Sequence, residues 1–371
     1  MPPHQETPVK ITTVPFEPDA LPAPLRRLVR HDVLERWRAV DRSAHAPHIV
    51  AVPGEAAGDW TAAALVTARP RTAYLKIVDA VGDVPAVVEA VVSHARHRGL
   101  AQVKWEGWTA SAEAAAAAGF APLSGPLARA AGADGPDSGY VRWLCDTALT
   151  EPPYYGQTTH FTCGAVTALV AQAQAGVLAA ESLDRPAELT MWRDATNFPA
   201  CEPVGLGVAV RRAWPSSPVT VFLDTDRPVL LDHLPESGQK WRAVLQRASR
   251  TDAERVGVPI DAQHLPMTGI RSAIGRREHV LLLVSLAEMQ GFDVPHWVLC
   301  HGTVPGAVVI EDPWANAATG DTWVDAHLLP VADPSLDMMS TLAPDHYRGA
   351  VIIGAPERRD AASSDSGPSV E

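Results

Sequence analysis

From position 163 to position 175 almost every residue is apolar or small, beginning Cys163-Gly164-Ala165-Val166-Thr167-Ala168-Leu169-Val170-Ala171. A helix that is apolar on all sides has no face to give to water, so this run predicts a helix buried in a domain core. Its first residue is a cysteine. A helix N-terminus offers unpaired N–H groups and partial positive charge, and both favour a thiolate. Six positions upstream, Gln157 carries a side-chain amide suited to hydrogen-bond an oxyanion. Gly164 leaves room for a substrate carbonyl to approach the backbone beside the sulfur.

A base for that thiol is found far along the chain. The runs 296–300 and 307–311 are of strand length and are joined by the turn-rich segment His301-Gly302-Thr303-Val304-Pro305-Gly306. A hairpin centred on Val304 would make His296 and Asp312 cross-strand neighbours. A carboxylate there accepts from one imidazole nitrogen and aims the other at the thiol. Trp297 and Trp314 flank this pair and are candidate walls of a substrate cleft, whereas Trp192 reads as core. Taken singly, Cys163 reads as a core cysteine, His296 as a core histidine and Asp312 as a turn residue before Pro313. Their coincidence with Gln157 favours the chemistry. Cys300 lies mid-strand and reads as core, His301 alternates to the opposite face, and His160 is too close to Cys163 to serve as its base. No HExxH, GxSxG or GxxxxGK[ST] pattern occurs.

The 371 residues predict two domains. A net charge of -12 without a Lys/Arg run excludes a nucleic-acid footprint and an anionic membrane surface. Four scattered cysteines without CxxC spacing argue against a disulfide framework and a structural zinc site, and no apolar stretch spans a bilayer. A reducing cytoplasm is expected, with neither metal nor cofactor. Residues 1–145 read as a small α/β unit, with strands at 60–67, 72–78 and 101–105 and helices at 84–98 and 110–118. The Gly-, Ala- and Pro-rich stretch 124–139 is the expected linker. Residues 146–356 carry the helices 163–175, 188–196, 205–214 and 239–257, and strands at 219–223, 280–285 (expected to be central) and 350–353. That succession predicts an α+β fold. Residues 357–371 have the composition of a disordered tail.

The order of elements over 50–125 resembles the later half of the acetyltransferase fold, whose glycine-rich loop holds the pyrophosphate of acetyl-CoA. The corresponding segment, Asp79-Ala80-Val81-Gly82-Asp83-Val84, has one glycine and two acidic residues, which implies a degenerate copy. The carboxyl-terminal part resembles the cysteine peptidases that clip double-glycine leader peptides from bacteriocin precursors. Gln157, Cys163-Gly164, His296-Trp297-Val298 and Asp312-Pro313 carry that resemblance. It more closely resembles a stand-alone bacterial form, through Tyr155–Thr159, Met191–Thr196, Gly205–Val208 and Pro295–Val298. Ala165 stands where many relatives have proline. The resemblance implies a papain-like fold, with Cys163 as nucleophile, His296 as base, Asp312 as its orienting acceptor and Gln157 as oxyanion donor. The expected function is cleavage or transfer of an acyl group at an amide, ester or thioester bond of a peptide or small molecule, through a thioester resolved by water or an amine. The alternatives are an inactive binding module and an acetyl-CoA-dependent N-acetyltransferase.

Overall fold

The structure, a computed structural model, describes residues 11–127, 135–195, 199–232, 234–343 and 345–355. The chain begins with β1 (Thr12–Pro15), α1 (Ala23–Leu28), α2 (His31–Arg38), β2 (His48–Pro53), β3 (Trp60–Thr67) and β4 (Tyr74–Gly82). It continues through α3 (Val84–His97), β5 (Gln102–Glu106), α4 (Ala112–Ala117), β6 (Ala121–Pro122) and β7 (Gly139–Trp143). These strands form a sheet in the order β1-β2-β3-β4-β5-β7-β6. Only β4 and β5 pair in parallel, and a parallel pair needs a crossover, which α3 supplies. The start of α3 is set by Asp83, whose carboxylate accepts from the Ala86 N–H at 3.2 Å, and by Pro85 in the first turn. Its end is set by Gly99 at φ +67°. Apolar residues of α3 cover one face of the sheet, and Leu25, Val33, Leu34 and Trp37 from α1 and α2 cover the other.

One expectation for this half needs correction, and some elements were not anticipated. The stretch 124–139 is not a linker throughout, because β7 starts at Gly139 and inserts between β5 and β6. Its residues 128–134 lie outside the described residues, as does the expected tail at 357–371. The strands β1 and β2 and the helices α1 and α2 were not foreseen, since they are short and their apolar spacing is broken by Pro and Arg.

The second half contains α5 (Cys163–Gln174), α6 (Arg185–Ala195), α7 (Pro203–Ala213), β8 (Val219–Leu223), α8 (Glu236–Val256), β9 (Ile260–Asp261) and α9 (Met267–Gly275). After these come β10 (His279–Ser285), α10 (Ala287–Gln290), β11 (Pro295–Val304), β12 (Ala307–Glu311), α11 (Trp323–Ala326), β13 (Leu329–Ala332), α12 (Asp333–Met339) and β14 (Gly349–Ile353). The sheet order is β13-β12-β11-β10-β14-β8-β9, so β10 is central as its apolar run predicts. The last strand, β14, lies inside the sheet between β10 and β8. The residues from Cys163 to Gln172 are all buried, with α5 lying across β11, α6 and α7. The architecture is thus α+β, with two mixed sheets.

The two sheets meet through charged strand residues. Tyr74 and Lys76 on β4, and Gln102, Lys104 and Glu106 on β5, alternate onto one face, a pattern that normally marks a solvated surface. Here α11 covers that face. Lys76 pairs with Glu106 at 2.7 Å and with Asp325, and the Tyr74 hydroxyl donates to Asp325 Oδ1 at 2.6 Å. Lys104 Nζ donates to the carbonyls of Val324, Asp325 and His327 at 2.7, 3.0 and 2.6 Å. Burial lowers Lys104 to about 7, while each of the three ammonium protons has a carbonyl to meet it. Replacing Lys104 by methionine leaves those carbonyls without a donor. A loss of about 3–5 kcal/mol is expected, measurable as a lower denaturant midpoint.

Candidate active site

The Cys163 side chain is held at the first turn of α5, 3 % exposed. The preceding Thr162 occupies the N-cap position but does not cap. Its hydroxyl donates instead to the Glu188 carboxylate. Glu188, fully buried on α6, also accepts from the Tyr155 hydroxyl at 3.0 Å and from the Thr158 N–H at 2.8 Å. One carboxylate therefore organises the whole loop between Gln157 and Cys163. Sequence reasoning missed this role, and the signal for it is an acidic residue that shares the one buried stripe of α6 with Met191 and Ala195.

The Gln157 N–H donates to the Pro313 carbonyl at 2.7 Å, which ties the loop to the residue after Asp312. Its Nε2 donates to the Thr159 carbonyl at 2.8 Å. A carboxamide nitrogen carries two protons, so one donor remains for a ligand.

His296 stands at the start of β11, 4 % exposed, and its Nε2 is 2.7 Å from Asp312 Oδ1. The Cys163 sulfur lies close enough to act on the same imidazole. The hairpin is real but its register is not the expected one. Leu299 faces Glu311, so Asp312 follows the end of β12 level with Val298 and reaches His296 diagonally. The offset comes from the turn, which is the two-residue Pro305-Gly306 with Val304 facing Ala307; a bulge between Cys300 and Gly302, in which His301 sits, takes back one position of it. Burial disfavours a charged imidazole, yet the Asp312 carboxylate and the Cys163 sulfur outweigh it and raise His296 to about 10. Burial likewise disfavours the Asp312 anion, but His296 and the Arg69 guanidinium hold it below the usual carboxylate range. Both oxygens of Asp312 are engaged: Oδ1 by His296 and the Trp314 N–H (2.9 Å), Oδ2 by Arg69 Nη1 (2.6 Å).

Two expected substrate-binding positions are core residues. Trp297 is 1 % exposed and its indole N–H donates to the Cys201 carbonyl at 3.0 Å. Gly164 is buried beneath it, and a Cβ there would come within 2.9 Å of the indole. The glycine is needed for close helix–strand packing, which is a different reason from the expected approach of a carbonyl. Trp314 is partly buried and stands edge-on to His296, with ring centroids 6.5 Å apart. Burial raises the thiols of Cys145, Cys201 and Cys300. Among the described residues no cluster of three or more His, Cys, Asp or Glu could hold a metal ion, and no helix is long and apolar enough to cross a membrane.

The family model of the Peptidase_C39 like family matches residues 152–354, more than half of the chain and all of this site. The chain belongs to that family. Its members are described as peptidase-like, in keeping with the cysteine, histidine and aspartate assembled above. No curated protein matches. Solved structures with local similarity include acetyltransferases. Nourseothricin acetyltransferase shares 17% identity over 27% of this chain, with a TM-score of 0.21, and the chain spans 65% of its length. The ribosomal-protein-S18-alanine N-acetyltransferase from Escherichia coli is 15% identical over 36% of this chain and 91% of its own, with a TM-score of 0.23. A Bacillus subtilis acetyltransferase in complex with CoA is 11% identical over 36% and 98%, with a TM-score of 0.24.

Proposed function

We propose that the chain is a cysteine-dependent acyl-transfer enzyme that works on an amide, ester or thioester carbonyl. The supporting observation is that His296, held by Asp312 at 2.7 Å, has the Cys163 sulfur acting on the same imidazole at the mouth of a buried helix. The Cys163 thiol gives its proton to His296 and its sulfur attacks the carbonyl carbon, so that a C–S bond forms and the carbonyl electrons move to oxygen. Gln157 Nε2 and the Cys163 N–H take up that charge. Collapse of the oxyanion breaks the bond to the leaving group, which receives its proton from His296. Water then attacks the thioester while His296 removes its proton, and the acid leaves as Cys163 is regenerated. An amine in place of water gives an amide by the same steps.

Residues 1–145 and 146–356 form the two domains of this reading. The first is a degenerate acetyltransferase-like module that binds no acetyl-CoA. The carboxylate of Asp83 already occupies the N-terminus of α3, where a pyrophosphate would have to sit.

Iodoacetamide labelling of the native protein, read by mass spectrometry at each cysteine, tests the site. Cys163 should label first at neutral pH, and His296→Ala should slow it by about tenfold to a hundredfold. A Cys163 that labels no faster than Cys145 would return it to the role of a core cysteine, and the chain to a binding module.

A further inference from the structure

Arg69 belongs to the turn between β3 and β4 of the first sheet, yet its side chain is fully buried against the second half of the chain. The turn is docked there by the main chain. Thr72 bridges to Val331 of β13, and the Ala73 N–H donates to the Pro330 carbonyl at 2.8 Å. The guanidinium is used as a fork. Nη1 donates to Asp312 Oδ2 at 2.6 Å, Nε and Nη2 face the Asp321 carboxylate at 3.1 and 2.9 Å, and Nη2 also donates to the Trp314 carbonyl at 3.1 Å. Asp321 is fixed in turn by Gln290 Nε2 at 2.8 Å and the Asn316 N–H at 3.2 Å, with His45 at 3.5 Å. Thus the plane of the guanidinium is set on one side by a carboxylate that has no part in the reaction. On the other side it sets the rotation of the carboxylate that faces His296.

We propose that Arg69 is a positioning residue of the Cys163–His296–Asp312 site: it locks Asp312 with Oδ1 towards the imidazole, so that the first half of the chain completes the catalytic apparatus of the second. The inference rests on the catalytic reading of that site. A buried carboxylate with one oxygen unpaired would turn towards another donor or take up a proton, and either change withdraws the acceptor that fixes the His296 tautomer. Arginine suits the task because its rigid fork spans two carboxylates at once, which a lysine ammonium on a flexible stem does not. The charged and titratable groups that bear on this cluster are His296 and Cys163 on one side, and Asp321 with His45 on the other. Tyr154, Glu311, Tyr74, Asp325 and Lys76 surround them.

The test compares full-length wild type with Arg69→Met and Arg69→Lys. Three quantities are read on folded protein: the Cys163 labelling rate at neutral pH, the pH at which the far-downfield imidazole proton of His296 titrates by NMR, and the melting temperature. In Arg69→Met the labelling rate should fall by about a hundredfold. The His296 midpoint should drop by about one unit or more towards an ordinary imidazole. Arg69→Lys should restore part of both. A folded Arg69→Met protein with a lower melting temperature but an unchanged midpoint and labelling rate has lost only packing, and the proposal is overturned. A raised midpoint overturns it too, since Arg69 would then be draining charge from the pair. Should Arg69→Met not fold, the lysine variant decides: about a threefold or greater loss of labelling with a lowered midpoint supports the proposal, and wild-type behaviour overturns it. Failure of selective Cys163 labelling in the wild type would instead remove the catalytic reading itself.

Discussion

Cys163→Ala should abolish thioester formation and lower turnover of an activated acyl substrate by about four orders of magnitude or more. The measurement is intact-mass analysis after exposure to an aryl ester or a peptide thioester, together with the rate of leaving-group release. Wild type should accumulate a single acyl adduct on Cys163 and the variant none. The size of the effect follows from the arrangement of the site. Without sulfur, His296 has no nucleophile to activate, and Gln157 faces a carbonyl that never gains charge. Release should also fall as pH rises through about 10, because His296 must be protonated to expel the leaving group and its imidazole is raised to that value. An adduct on Cys201 or Cys300 in place of Cys163 would refute the assignment, since both are fully buried thiols that burial pushes up.

The second large effect concerns stability. Trp297→Ala should cost about 3–5 kcal/mol, read as a lower midpoint of chemical denaturation. The indole is 1 % exposed, lies on Gly164 and bonds the Cys201 carbonyl, so its removal leaves both a cavity and an unpaired acceptor. Because Gly164 is the second residue of α5, the cavity opens directly beneath Cys163. Labelling of Cys163 in the folded variant should slow as well. A variant that keeps wild-type stability would show that the indole lines an open cleft, as the sequence alone had led one to expect.

The difference between these two residues illustrates what is local and what is not. Cys163 and Gln157 are legible because an all-apolar helix must be buried and a helix N-terminus favours a thiolate, arguments that need no partner. His296 and Asp312 were legible as a pair, since two short strands joined by a turn-rich hexapeptide bring them together in any register close to the observed one. The register itself was not legible, because a hexapeptide holding both Gly302 and Pro305-Gly306 can turn in more than one place, and the chain turns at Pro305-Gly306. Trp297 was misplaced for a related reason. An aromatic residue next to a catalytic histidine looks the same in sequence whether its face meets a ligand or a glycine of the neighbouring helix.

By itself the sequence determined several elements of the second half (α5 to α8, β8, β10, β14 and the β11–β12 hairpin), the central place of β10, the position of Cys163 at a helix start and the pairing of His296 with Asp312. These follow from periodicities of two and 3.6 and from turn chemistry, which act over a few residues. The tertiary structure alone decided the placement of β14 within the sheet, the burial of Tyr74, Lys76 and Lys104 against α11, the gathering of the Cys163 loop by Glu188, and the fork of Arg69 on Asp312. Arg69 and Asp312 are 243 positions apart. An arginine before a proline in a turn carries every local mark of a solvated surface residue. Its burial is fixed by two carboxylates that reach it only once both sheets have formed, and pairings at such separation leave no local pattern to read.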